Sequence, residues 1–238
     1  CPFHKEKTPS FTVNAEKQIY HCFGCGEGGN AFSFLMKISN LTFPEAVRHL
    51  AGKSGVALPS REFTPEEKSH RDLREILIRA NRLAAAYYEK TLRSAAGARG
   101  REYLEKRGIR PDVVETFRLG YAPEGWRGLR DHLQREKISL KHAEQAGLLV
   151  ARGDGDGYDR FRGRLMFPIE DINGSVIAFG GRIIGDGEPK YLNSPESAVY
   201  VKGRNLYGLS RAKHAIRKDE TLIIVEGYFD LLALWNAG

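Results

Sequence analysis

CPFHKEKTPSF (residues 1–11) and YHCFGCGEGG (residues 20–29) hold between them all three cysteines of the 238-residue chain, Cys1, Cys22 and Cys25, with His4 three positions after the first. Two ligand pairs, Cys-x2-His and Cys-x2-Cys, offer from two turns the nitrogen and sulfur donors of a tetrahedral zinc site. With all four positions filled by protein, no place is left for substrate, so the expected zinc ion is structural. The surrounding segment has few large apolar residues, and metal binding is expected to supply on the order of 10 kcal/mol of its folding free energy. A competing reading, a Cys22/Cys25 redox pair, leaves Cys1 without a role and lacks the strand and helix of a thioredoxin-like site. His21 is a second candidate nitrogen ligand. Neighbours on a strand face opposite ways, so Cys22 turns His21 away and His4 is preferred.

Working outward, SFTV and QIYH flank NAEK, which predicts a β-hairpin between the two ligand pairs. AFSFLMKI and FPEAVRHLAGKSG show helical spacing, the second with Pro44 near its first turn and Gly52 and Gly55 as stop signals. From Thr64 to Leu92 the pattern is one long amphipathic helix that starts at Thr64 with Glu66 and Glu67 in its first turn. It would serve as a connector or pack a face on the next domain. Past Gly97, helical pieces lead into RLMFPIED, GSVIAFGGRII and KYLNSPE, which read as strands. TLIIV reads as a buried strand, and YFDLLALWNAG as the start of a helix, as in an α/β unit. The fold class is α+β and multidomain: a zinc ribbon with short helices over 1–58, a helical linker over 59–96, an α+β subdomain over 97–218 and the start of an α/β subdomain over 219–238. A first residue other than methionine and a last segment that stops in mid-element suggest a piece of a longer chain.

The formal charge of +7 points to a polyanionic partner, and the basic excess sits in 97–218, while 219–238 carry four acids and no lysine or arginine. No apolar run approaches the roughly 18 residues of a membrane span, and no segment resembles a secretory signal. No membrane association is expected, and a cytoplasmic location is. In the ribbon, Phe11, Tyr20 and Phe23 interleave with Lys5 and Lys7, a combination that stacks unpaired bases and tracks phosphates. An equal reading makes the rings the ribbon's own core.

CPFHKEKTPSFTV with YHCFGCGEGGNAFSFL resembles the zinc-binding domain of bacterial DnaG-type DNA primases. RFRGRLMFPIEDINGSVIAFGGRII, PKYLNSPES, KGRNLYGL and LIIVEGYFDLLAL follow in the order in which that family's RNA polymerase domain carries its motifs. The resemblance implies that 97–218 are the basic part of that polymerase domain and 219–238 the opening of its toprim fold. It further implies a nucleotidyltransferase that reads single-stranded DNA, joins ribonucleoside triphosphates into a short RNA primer, and works at the bacterial replication fork. A replicative helicase would be met through a carboxyl-terminal domain not in this sequence.

Nucleotidyl transfer needs Mg2+ or Mn2+ held by carboxylates. Glu226, expected at the carboxyl end of a strand, and Asp230, one helical turn on, would face one site, and the resemblance makes Glu226 the catalytic, magnesium-binding acid. Taken alone, the pair reads equally well as a helix-start acid and a solvated helix face. The family's later acids lie beyond Gly238, so these residues by themselves are expected to be inactive. By resemblance, Arg160, Arg162, Arg164 and Arg182 line the template or nucleotide path, and Lys190, Tyr191, Asn193 and Lys202 lie near the reacting groups. Gly180 and Gly181 would let backbone approach a phosphate beside Arg182. A ribbon-bearing binder of single strands with a degenerate toprim core is the alternative, and a topoisomerase-like toprim enzyme would lack the ribbon and KYLNSPE.

Overall fold

The computed structural model describes residues 1–39, 41–56, 64–153 and 156–238. They fall into two compact units, Cys1–Phe63 and Thr64–Gly238.

In the first unit, β1 (Phe11–Asn14), β2 (Ile19–Cys22) and β3 (Gly28–Asn30) form an antiparallel sheet in that order. Phe11 pairs with Cys22 and Asn14 with Ile19, so the hairpin turns where NAEK predicts. Two short helices follow, α1 (Ala31–Ile38) and α2 (Phe43–Ser54). The Asn30 side chain caps α1 by accepting from Ser33 N, and the Glu45 carboxylate accepts from Thr42 N at 2.7 Å at the start of α2. Of the two glycines expected to stop α2, Gly52 lies inside it and Gly55 ends it, in the left-handed conformation with φ 65°. The expected boundary at 58 lies outside the described residues.

The second unit opens with α3 (Pro65–Arg93), begun as expected by Thr64: its side chain accepts from Glu67 N at 3.2 Å, and Glu67 accepts from Thr64 N at 3.1 Å. There follow α4 (Ala98–Lys106), α5 (Pro111–Thr116), β4 (Gly120–Ala122), α6 (Gly128–Arg135), α7 (Leu140–Gln145), β5 (Leu149–Ala151), β6 (Gly157–Asp159), β7 (Arg164–Glu170), β8 (Val176–Ile183), β9 (Tyr191–Asn193), α8 (Leu209–Asp219) and α9 (Tyr228–Ala237). The strands β4, β7, β8 and β9 form one antiparallel sheet in that order, and β5 and β6 a separate hairpin.

That sheet is covered on both faces, because successive residues of a strand point opposite ways. On one side Met166 and Phe179 pack with Leu77, Ala84 and Tyr88 of α3. On the other Leu165 and Phe167 meet Leu104 of α4, Val113 of α5 and Leu232 of α9. Of the two roles open to this helix, connector or packed face, α3 packs a face into the second unit's core. Its buried stripe of Leu77, Ala80, Asn81, Ala84, Ala85, Tyr88 and Leu92 keeps the spacing of one helical face, and Asn81 donates to the Ile177 carbonyl at 2.9 Å. Gly120 of β4 lets α3 approach the sheet closely: a Cβ there would sit 2.5 Å from the Cβ of Tyr88.

TLIIV departs from expectation. Residues 221–225 are not a strand, and Ile223 and Ile224 are 72% and 71% exposed. A strand exists only through hydrogen bonds to a neighbour, and none of the described strands pairs with this segment.

Candidate metal centre and nucleic-acid interface

In the ribbon the hairpin carries Cys22 to its end, and the turn that follows brings Cys25 back beside it. Ligand atoms of Cys1, His4, Cys22 and Cys25 all lie within 4.8 Å of one another, and among the described residues this is the only cluster of three or more such groups. Cys1 Sγ is 3.9 Å from Cys25 Sγ, and Cys22 Sγ is 3.9 Å from His4 Nδ1. Two thiolates at about 2.3 Å from one zinc, at the tetrahedral angle, stand about 3.8 Å apart, so the residues fit that ion.

The main chain already favours thiolate sulfur. Phe3 N donates to Cys1 Sγ at 3.4 Å. Burial alone raises the Cys22 thiol, but the Ser10 hydroxyl and the N–H groups of Cys25 and Gly24 outweigh it and bring the group down to about 7. His21 is exposed on the opposite face of β2, its ring edge-on to Phe23 at 4.7 Å, and takes no part in the cluster.

The ribbon's other candidates separate. Tyr20 is 5% exposed. Phe11 stacks on it at 5.5 Å, and Phe3 and Phe34 complete the group. These rings are the ribbon's core, because a unit this small has little else to bury, and Tyr20 has no free face for a base. Lys5 and Lys7 are exposed, as is Phe23 at 76%.

In the second unit a groove of about 490 Å³ is lined by Arg99, Arg160, Arg162 and Arg164, with Glu124, Asp186 and Glu188 at its wall. The four arginines differ in availability. Arg164 is 5% exposed and gives its guanidinium to the carbonyls of Pro189 at 2.9 Å and Gly181 at 3.3 Å, so it braces the groove. Arg160 is half-buried, and its Nε has no hydrogen-bond partner among the described residues. Arg162 donates to the Asp159 carbonyl and lies over the rings of Trp126 at 4.1 Å and Tyr158 at 5.1 Å. Trp126 is 55% exposed, which leaves an aromatic surface beside a cation.

Trp126 and Tyr158 were not legible as site residues: each is a lone ring in a loop or short strand, and only the fold sets them 5.3 Å apart. Asp159 was equally hidden. Its buried carboxylate accepts from Leu129 N and Arg130 N, both at 2.9 Å, at the start of α6, and its own N–H donates to the Trp126 carbonyl at 2.8 Å. Burial pushes this carboxyl up to about 6 against the pull of the two amides.

A second cationic spot gathers around Arg182, 3.1 Å from Tyr191 Oη and within 5.8 Å of the ring centres of Tyr103, Tyr191 and Phe229. Asn193 accepts from Tyr228 Oη at 3.0 Å. Lys190 and Lys202 are exposed and, among the described residues, make no ion pair. The glycines beside Arg182 have another purpose than the one expected. They lie within β8, and a Cβ there would strike Tyr228 at Gly180 and Phe161 at Gly181, so they admit aromatic rings rather than a phosphate. Glu226 is exposed ahead of α9, and the Asp230 carboxylate accepts from Gly227 N at 3.0 Å as a helix cap.

Residues 87–213 match the family model of the DNA primase catalytic core, N-terminal domain, and residues 1–66 match the CHC2 zinc finger. The chain belongs to the DnaG-type bacterial DNA primases. The DNA primase of Halalkalibacterium halodurans is 49% identical over 240 residues, a match that takes in all of this chain and 40% of that protein. The crystal structure of the Aquifex aeolicus primase, zinc-binding and RNA polymerase domains, covers 99% of this chain and 56% of its own, at 39% identity and a TM-score of 0.60. A DnaG primase catalytic domain bound to single-stranded DNA covers 70% and 54%, at 40% identity and a TM-score of 0.65. The chain thus spans about two-fifths of the length of the curated primase it matches. With the zinc-finger match, the Cys/His cluster is a zinc site. No helix among the described residues is long and apolar enough to cross a membrane.

Proposed function

We propose that the protein is a DNA primase, a DNA-directed RNA polymerase that lays short RNA primers on single-stranded DNA at the bacterial replication fork, in the cytoplasm. The observation that carries this reading is the arginine groove flanked by the exposed Trp126 and the half-buried Tyr158. Phosphates of an unpaired strand are drawn by Arg160 and Arg162, while bases stack on the rings, and neither contact requires a duplex. The DNA-bound relative supports the same assignment.

Within that reading Cys1, His4, Cys22 and Cys25 hold a structural zinc, and the ribbon, with Lys5, Lys7 and Phe23 outward, selects the template. Arg182, Tyr191, Asn193, Lys190 and Lys202 handle the incoming ribonucleoside triphosphate and the RNA product. Glu226, with Asp230 close by on α9, contributes carboxylate to Mg2+ or Mn2+, which would stabilise charge on the attacked phosphate. A replicative helicase is the expected partner of the whole protein. The test is primer synthesis by the full-length protein on single-stranded DNA with magnesium and four ribonucleotides. Short RNA that disappears with Glu226→Gln supports the reading. Absence of any product from the unaltered protein overturns it in favour of a single-strand binder.

A further inference from the structure

Around His4 the ribbon holds polar groups besides the four ligands. His4 Nδ1 faces Cys22 Sγ, while its other nitrogen, Nε2, is 3.5 Å from Glu6 Oε2. The Glu6 side chain is only 14% exposed and cannot turn freely. Ser10 N donates to Glu6 Oε1 at 3.3 Å, and the Ser10 hydroxyl donates to Oε2. Ser10 Oγ also lies 3.2 Å from Cys22 Sγ, so one hydroxyl touches the carboxylate behind one ligand and the sulfur of another. Gly24 closes the arrangement: a Cβ there would stand 2.7 Å from Ser10 Oγ and 2.9 Å from His4 Nε2.

We infer that Glu6, locked by Ser10 and given room by Gly24, is a positioning residue for the zinc: it accepts from the Nε2–H of His4, keeps the proton on that nitrogen and so commits Nδ1 to the metal. The physical reason is tautomer choice. A neutral imidazole has one protonated and one free nitrogen, and a carboxylate beside one holds the proton there, raises the basicity of the other and fixes the plane of the ring. Removing such a partner costs about 10–100-fold in metal affinity. Glu6 is not itself among the clustered ligands. The inference rests on reading the ribbon as a zinc site.

The test uses the zinc-loaded chain and reads zinc, not primer synthesis. Glu6→Ala is expected to release zinc to a chromophoric chelator about 10–100-fold faster than the unaltered chain. Glu6→Gln, which keeps an acceptor without charge, should fall between them, and Glu16→Ala, at an exposed residue of the hairpin turn, should match the unaltered chain. Nitrogen-15 spectra should show His4 bound through Nδ1 with a slowly exchanging Nε2 proton that is lost in Glu6→Ala. Because Glu6→Ala could fold poorly, Gly24→Ala supplies a second route: its methyl group should part His4 from Ser10 and speed release with Glu6 intact. Equal release from all variants, or His4 bound through Nε2, overturns the inference while leaving the zinc site standing. An unaltered chain that takes up no zinc overturns the site itself.

Discussion

A Cβ on Gly180 would stand 2.4 Å from the hydroxyl oxygen of Tyr228, whose ring lies on Phe167 with centroids 4.7 Å apart and planes 12° from parallel. The absent side chain on β8 is thus the space by which α9 reaches the sheet. Through that contact the helix carrying Asp230, with Glu226 just ahead of it, is held against the unit that carries the arginine groove.

Gly180→Ala should therefore lower stability by about 2 kcal/mol, since overpacking at such a contact costs about 1–3 kcal/mol. In a Tyr228→Ala background the same substitution should cost under about 1 kcal/mol, because the ring it strikes is gone. Denaturant melts of the four chains check this, and additive losses would disprove the coupling.

Chelation of zinc should unfold the ribbon and leave the second unit intact, since the two units have separate cores and only the first depends on metal. Amide exchange should show lost protection in β1 and β2 with α3 and β7 unchanged. Protection kept in β1 after verified zinc loss would count against a metal-dependent fold.

Asp159 sets a pH window. Its carboxyl is pushed by burial from the ordinary 3.8 up to about 6, with Asp131 adding in the same direction and the amides of Leu129 and Arg130, together with Arg162, opposing. The folded state therefore holds this proton more tightly than the unfolded one. The contribution is full below about pH 4 and is lost as pH rises through about 6. Asp159→Asn should flatten that slope, a difference of about 2 kcal/mol across the window. Unfolding free energies at pH 4 and pH 7 measure it, and identical slopes in the two chains would refute the assignment.

Arg162→Ala should weaken binding of unpaired oligonucleotides by a similar factor at every sequence tested and lower the salt slope by about one, as loss of one phosphate contact does. Trp126→Ala should cost about 1–3 kcal/mol, the worth of one stacked base, and leave the salt slope unchanged. Fluorescence anisotropy over a range of salt separates the two effects, and a slope unaltered by Arg162→Ala would remove that arginine from the phosphate path.

Much of this was legible because the signals are local. Two ligand pairs of fixed spacing, a turn between alternating runs, and a Thr64–Glu67 box each name their structure within a few residues. Signals that depend on a partner misled. Tyr20 carries the composition of a base-stacking surface, yet a ribbon with little apolar material buries it against the half-buried Phe11. The glycine pair of β8 has the look of a phosphate turn, but rings distant in sequence fill its space. TLIIV has the composition of a buried strand, yet no described strand lies beside it to accept its hydrogen bonds.

By itself the sequence determined the two ligand pairs, the hairpin, the helix starts and the family motifs, each of which is written in residues a few positions apart along the chain. Tertiary structure alone decided which residues α3 packs against, that Arg164 braces while Arg162 faces out over Trp126, and that Asp159 is buried. Those outcomes turn on which distant surfaces exclude water from one another, and spacing along a chain carries no record of that.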